Sequence, residues 1–148
     1  MGIVYEGPGN LFYSEMPVLV CPVNLVGVMG NGLALYMKLR YPSLFPKYFK
    51  AIRSGELVDG MLRLTTVEDG RQILLFPTKH HFSEDSDPRL IETGLRKLFN
   101  NYQRLGLGGI AFPKIGCGKG NLNYDSEIKP LFDRYLGTMS IPIEIYLG

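Results

Sequence analysis

The stretch Cys21-Pro-Val-Asn-Leu-Val-Gly-Val-Met-Gly-Asn-Gly-Leu-Ala34 decides the fold: an apolar strand runs into a glycine-rich loop, and the loop into a run of helix formers. Val18 to Val23 is continuously apolar, the pattern of a strand buried on both faces. Glycine has no Cβ, so such a loop can turn at positive φ and converge its N–H groups on one anion. The helix that begins at about Leu33 would aim its positive end at the same point. Phe112-Pro-Lys-Ile-Gly-Cys-Gly-Lys-Gly-Asn-Leu122 repeats the arrangement near the far end of the chain. Two such loops can wrap a diphosphate.

Two familiar phosphate motifs do not fit. The dinucleotide fingerprint needs a third glycine where Leu35 stands; the P-loop needs Ser or Thr where Gly120 follows Gly118-Lys119. Neither a Rossmann dehydrogenase nor a P-loop ATPase is supported. Taken singly, each loop is equally an ordinary turn, since Asn31-Gly32 is a strong hairpin dipeptide.

Outward from these loops, Ile3 to Tyr5 reads as a short strand and Gly7-Pro-Gly-Asn10 as a turn. The first helix ends before Pro42, and a second, Ser43 to Arg53, takes Ser43 as cap and stops at Gly55. Met61–Val67 and Gln72–Phe76 flank Asp69-Gly70 as a hairpin. Asp87-Pro88 opens a long helix with Leu90, Ile91, Leu95, Leu98, Phe99, Tyr102 and Leu105 on one face. Gly109 to Pro113 is a further buried strand, and Ser126 to Tyr135 a helix whose start Pro130 obscures. Ile141 to Leu147 ends the chain as a strand that Pro142 places at a sheet edge. Strands alternating with helices predict a three-layer α/β/α domain with a mixed, mostly parallel sheet. Ligands bind beyond the carboxyl ends of such strands, where both loops and Lys79 would emerge.

A chain of 148 residues that is 45% hydrophobic supports one sizeable core and is short for two domains, so residues 1–148 are expected to form one domain, a monomer. Its 16 basic and 14 acidic residues form no long block, so contact with nucleic acid would come from a local patch. Cys21 and Cys117 lack metal-ligand or disulfide spacing, and adjacent His80 and His81 point to opposite faces of an extended chain. No metal, cofactor or membrane is expected. The absence of a leader pattern and the isolated cysteines fit a cytoplasmic home, or host cytoplasm for a viral source.

The combination of Val23-Asn24, Gly27-Val-Met-Gly-Asn-Gly-Leu-Ala34, Pro42 to Lys50, Phe76-Pro-Thr-Lys79 and Pro113-Lys-Ile-Gly-Cys-Gly118 with Leu122 and Tyr124 resembles the macrodomains, ADP-ribose-binding α/β/α modules. It most resembles the branch of terminal ADP-ribose glycohydrolases and DNA ADP-ribosyl glycohydrolase antitoxins. The resemblance implies that Asn10 and Leu11 sit by the adenine, Asn10 standing where many macrodomains have an Asp. It implies that Asn24 lies beside the distal ribose. Gly27, Val28, Met29, Gly30, Asn31 and Gly32 would clamp the diphosphate and distal ribose from one side. Ile115, Gly116, Cys117, Gly118, Lys119 and Gly120, with Asn121, would do so from the other.

Thr78-Lys79 matches the position of a catalytic lysine in that branch, which can attack the anomeric carbon of the distal ribose. An amine attacks only when unprotonated, and a free lysine titrates near ~10.4, so such a site must favour the neutral form by burial or neighbouring cations; His80 and His81 are candidates. Tyr124 and Phe82 are candidates for stacking on the ligand. Cys117, between two glycines, reads as a space-filler rather than a nucleophile. The human-type enzymes of the branch have an aspartate just after the GCG loop, where this chain has Gly120 and Asn121; antitoxin-type members also have Gly there. A water held by Asn24, Asn121 or the phosphate would then finish the reaction, while Asp125 would cap the next helix.

The expected function is therefore removal of ADP-ribose from a modified nucleic-acid base or protein. Hydrolysis of ADP-ribose 1''-phosphate, or ADP-ribose binding without turnover, are the alternatives.

Overall fold

The computed structural model describes residues 1–148, and its centre is β2 (Val18–Asn24), whose side chains alternate between two cores. Val18 and Val20 enter one, Leu19, Cys21 and Val23 the other. β4 (Gln72–Lys79) runs parallel to β2 and divides its residues likewise, Leu74 and Phe76 against Ile73 and Leu75. This two-sided burial is why Val18 to Val23 reads as an unbroken apolar run.

Around them lie β1 (Gly2–Gly7), β3 (Arg63–Thr66), β5 (Ile110–Pro113) and β6 (Pro142–Tyr146), in the order β1-β6-β5-β2-β4-β3. All neighbours are parallel except β3, which forms the antiparallel hairpin with β4. One face is covered by α1 (Gly32–Arg40) and α2 (Leu44–Arg53), the other by α3 (Pro88–Asn101) and α4 (Lys129–Leu136). The result is a three-layer α/β/α domain on a mixed, mostly parallel six-stranded sheet.

Several local expectations need correction. β6 is interior, paired on both sides, and not at an edge. Pro142 is its first residue, where a missing N–H is tolerated. Ser43 does not cap α2 with its side chain; its hydroxyl and N–H both donate to the Glu68 carboxylate across the surface. The segment before α4 is a π turn, Tyr124–Ile128, and its cap is Asn123, which accepts from Ser126 N at 3.0 Å, not Asp125. Of the residues assigned to the buried face of α3, Phe99 is exposed, as is Leu105 beyond its end. The Asp87 cap stands as expected, accepting from Arg89 N at 2.9 Å.

Candidate functional site

The sheet order creates the site. From β2 the chain moves outward toward β4, and from β5 in the opposite direction to β6, so a crevice opens between their carboxyl ends. The two glycine-rich loops are the segments that follow these strands. They face each other closely: a Cβ on Gly32 would lie 3.7 Å from Lys119 Cγ. A cleft of about 1000 Å³ runs between them.

Its charge is one-sided. Lys79, Lys114 and Lys119 line it and no Asp or Glu does; none of the three lysines is in an ion pair. The N-terminus of α1 also opens here, at Asn31, Gly32, Leu33 and Ala34. Asn31 makes no side-chain cap and the first turn holds no acidic residue, so its N–H groups are available to an anion.

Of the residues expected to bind the ligand, Asn10, Leu11, Val28, Gly30, Thr78, Gly116, Gly118 and Gly120 also stand in the wall. Asn10 caps a short 3₁₀ turn, its Oδ1 accepting from Phe12 N at 2.9 Å, which leaves the amide hydrogens and one lone pair for a ligand. Phe82 reaches the cleft and is 53% exposed.

Other expected residues lie off the wall. Gly27 turns at φ +86 above Phe49 and Ile52 of α2, and Met29 is buried among the α1–α2 core residues. Ile115 is buried in the opposite core. The Cys117 thiol packs against that core, donates to Ile115 O at 3.5 Å, and burial pushes its pKa up to about 11, which suits a packing role. Asn121, at φ +63, donates to Asp85 Oδ1 at 2.8 Å instead of facing the cleft. Tyr124 turns away to donate to Glu6, and burial followed by that carboxylate raises its pKa. Neither histidine lines the cleft: His80 pairs with Asp59 at 2.8 Å, which favours its protonated form, and His81 contacts Ser83. They are not neighbours that could tune Lys79 from within the site.

Asn24 is in the wall but occupied. Its Oδ1 accepts from Val26 N, Val28 N and the Tyr48 hydroxyl, and its Nδ2 donates to Val28 O at 2.8 Å. The side chain shapes the first loop and has one amide hydrogen left. The expectation that it holds a reacting water therefore rests on that single hydrogen.

Lining residues that escaped the sequence reading include Phe12, Ser86, Lys114 and Tyr146. Tyr146 ends β6, and nothing in its local pattern separates it from a core tyrosine. Ser86 is 5% exposed, and its hydroxyl is the one buried side-chain polar atom without a partner in the protein. Leaving such a group unpaired costs about 1–3 kcal/mol.

The Macro domain family model matches residues 20–129. The DNA ADP-ribosyl transferase–DNA ADP-ribosyl glycohydrolase fusion protein of Thermosipho africanus is 38% identical over 94% of this chain and 40% of its own length. The chain thus spans about two fifths of the curated relatives it matches. Among solved structures, the macrodomain of Thermus aquaticus DarG superposes with a TM-score of 0.90 at 32% identity, covering 99% of this chain and all of that one. Thermosipho africanus DarTG in complex with ADP-ribose gives 0.88 at 38% identity, over 95% of this chain and 40% of that one. A crevice at the switch point of this mixed sheet, walled by the loops after β2 and β5, and a family match across most of the chain lead to one assignment: the chain belongs to the Macro domain family.

Proposed function

We propose that this domain holds ADP-ribose in the cleft and releases it from a DNA base, with Lys79 as nucleophile. The observation that carries the reading is a wall with three lysines and no Asp or Glu, where two facing loops and the α1 N-terminus converge and Lys79 stands at the end of β4. The similarity to DNA ADP-ribosyl glycohydrolases and to a structure holding ADP-ribose supports this substrate.

In the first step the neutral Lys79 amine attacks the anomeric carbon of the distal ribose. An N–C bond forms, the bond to the base breaks, and its electron pair leaves with the base. The proton that the adduct's nitrogen then loses goes to the departed base; water forms a C–O bond at the sugar carbon as the N–C bond breaks, and one of its protons returns to the amine, which frees ADP-ribose and neutral lysine. Asn121 is turned to Asp85, so the water is oriented by the remaining amide hydrogen of Asn24 or by the substrate's own phosphate.

The test is turnover of ADP-ribosylated DNA and ADP-ribosylated protein by wild type and Lys79→Ala in parallel. Release of ADP-ribose from DNA, lost in the variant, is expected. Equal rates in the two proteins would remove the lysine mechanism.

A further inference from the structure

Between Glu15 and Glu56 the chain carries no Asp or Glu, yet it carries Lys38, Arg40, Lys47, Lys50 and Arg53, all on α1 and α2. None of these cations is in an ion pair. The helices across the sheet follow the opposite rule: Arg89, Arg96, Lys129 and Arg134 each pair with a carboxylate, and only Lys97 does not. Glu68 and Asp69 reach the α1–α2 layer from the β3–β4 turn, where they accept from Ser43 and Tyr41. Five cations against these two carboxylates still leave the layer positive.

Instead of pairing, the cations lie over rings. Lys38 Nζ is 4.4 Å from the centroid of Phe45, and the guanidinium carbons of Arg40 and Arg53 are each 5.6 Å from those of Phe12 and Phe49. A ring face attracts a cation without cancelling its charge. The rings themselves are linked, Phe12 to Tyr36 at 4.8 Å and Phe45 to Phe49 at 5.7 Å, and Tyr36 and Phe49 are exposed. Both ends of this stripe reach the cleft. Phe12 stands in its wall, and Phe49 packs under Gly27, next to Val28 in the wall.

A surface of unpaired cations interleaved with exposed rings fits a polyanion that also carries flat apolar groups. An acidic peptide supplies the charge without the rings, and a duplex hides its base faces in the stack. An unpaired strand offers one phosphate and one base face per nucleotide. We propose that the α1–α2 face docks the single-stranded DNA that flanks the modified base, so that the ADP-ribose it carries enters the cleft from this side. This rests on the proposed release of ADP-ribose from a DNA base and adds a docking surface to it.

Fluorescence anisotropy with a labelled, unmodified DNA strand of about twelve nucleotides tests it, beside the same sequence as duplex and an oligoglutamate of equal charge. Wild type should bind the strand in preference to the other two. Lys38→Gln/Lys50→Gln/Arg53→Gln should weaken strand binding about tenfold or more and flatten its log–log salt dependence by about two. Tyr36→Ala should weaken it roughly fivefold. Arg89→Gln/Lys97→Gln/Arg104→Gln, which removes as many cations from the other side of the sheet, should change it little. In the α1–α2 charge variant, affinity for free ADP-ribose and kcat on an ADP-ribosylated strand should stay at wild-type values while KM rises. No strand binding by wild type, wild-type strand affinity in the α1–α2 charge variant, an equal loss in the control, or equal binding of duplex or oligoglutamate would overturn the proposal. Wild-type strand affinity in Tyr36→Ala would overturn the stacking. Strand binding by a wild type that neither binds ADP-ribose nor releases it from DNA would instead defeat the functional reading.

Discussion

The phenolic oxygen of Tyr48 lies 2.8 Å from Asn24 Oδ1 and 2.7 Å from the carbonyl oxygen of the same residue. One hydroxyl from α2 thus grips the last residue of β2, and Asn24 passes the constraint to Val26 and Val28 in the first loop. Tyr48→Phe removes the grip while keeping the ring. We expect a loss of about 1–2 kcal/mol in stability, read by denaturant unfolding, and a weaker ADP-ribose titration. Asn24→Ala should cost more in both, since it releases the loop entirely. Unchanged binding in both variants would show that the loop keeps its shape without them.

Lys79→Ala removes a side chain that makes no ion pair, so its melting temperature should stay within a degree or two of wild type. Turnover should fall on the order of 10³-fold or more, as for loss of a nucleophile. ADP-ribose affinity should change by no more than a few-fold. A large loss of affinity with little loss of kcat would mark Lys79 as a binding group.

Gly120→Ala would drive a methyl into Ser86 Oγ and Gly116 O. The expected cost is about 1–3 kcal/mol, with weakened ligand binding, because both sides of the contact belong to the cleft wall. Thermal unfolding compared with Gly118→Ala, where a Cβ would meet nothing within 4 Å, isolates the clash. Equal melting temperatures for the two variants would refute it.

Glu6 joins β1 to the π turn and α4, accepting from Lys129 at 2.8 Å and from Tyr124 at 2.7 Å. The bond from Lys129 and then that from Tyr124 hold its carboxyl below the usual carboxylate range. A depressed carboxylate stabilises the fold above its unfolded pKa, and that contribution disappears as pH falls through the folded pKa. Melting temperature should therefore decline through the acid range, and Glu6→Gln should flatten the decline while lowering the neutral value. An identical acid limb in the variant would assign the transition to other groups.

Raising ionic strength from 0.1 to 1 M shortens the screening length from about 10 to 3 Å. Because three lysines and no Asp or Glu line the cleft, ADP-ribose affinity should fall with salt. Lys114→Gln with Lys119→Gln should reduce the slope. A salt-independent titration would mean that backbone N–H groups do nearly all the binding.

The fold was legible where one local signal decided a segment. β2 declared two-sided burial in its unbroken apolar run, Asp69-Gly70 declared the β3–β4 hairpin, and Asp87-Pro88 declared the start of α3. β6 was misplaced because Pro142 carries the same local meaning at a strand's first residue as at a sheet edge; only pairing with β1 and β5 separates the two. Glycine spacing located the loops but not which of their side chains turn inward. Met29, Ile115 and Cys117 were assigned to the ligand because they share a loop with residues that line it, yet apolar side chains in a loop between two cores are drawn into the nearer core. Tyr48 read as core and is core, but its hydroxyl works on a residue 24 positions away. Ser86 gave no signal: every residue from Ser83 to Pro88 except Glu84 is a turn former, and only the path of the chain back toward Gly120 distinguishes one serine.

The first loop packs Met29 into the core beneath α1 and α2, and the second packs Ile115 into the core beneath α3 and α4. A molecule held between them is a fastener across a seam, with each half of the domain supplying one jaw. Repacking deep in either layer would then be felt as lost affinity without any change to a residue that touches the ligand. Conversely, occupancy should slow amide exchange in α1 and in α4 together, although the two helices lie on opposite sides of the sheet.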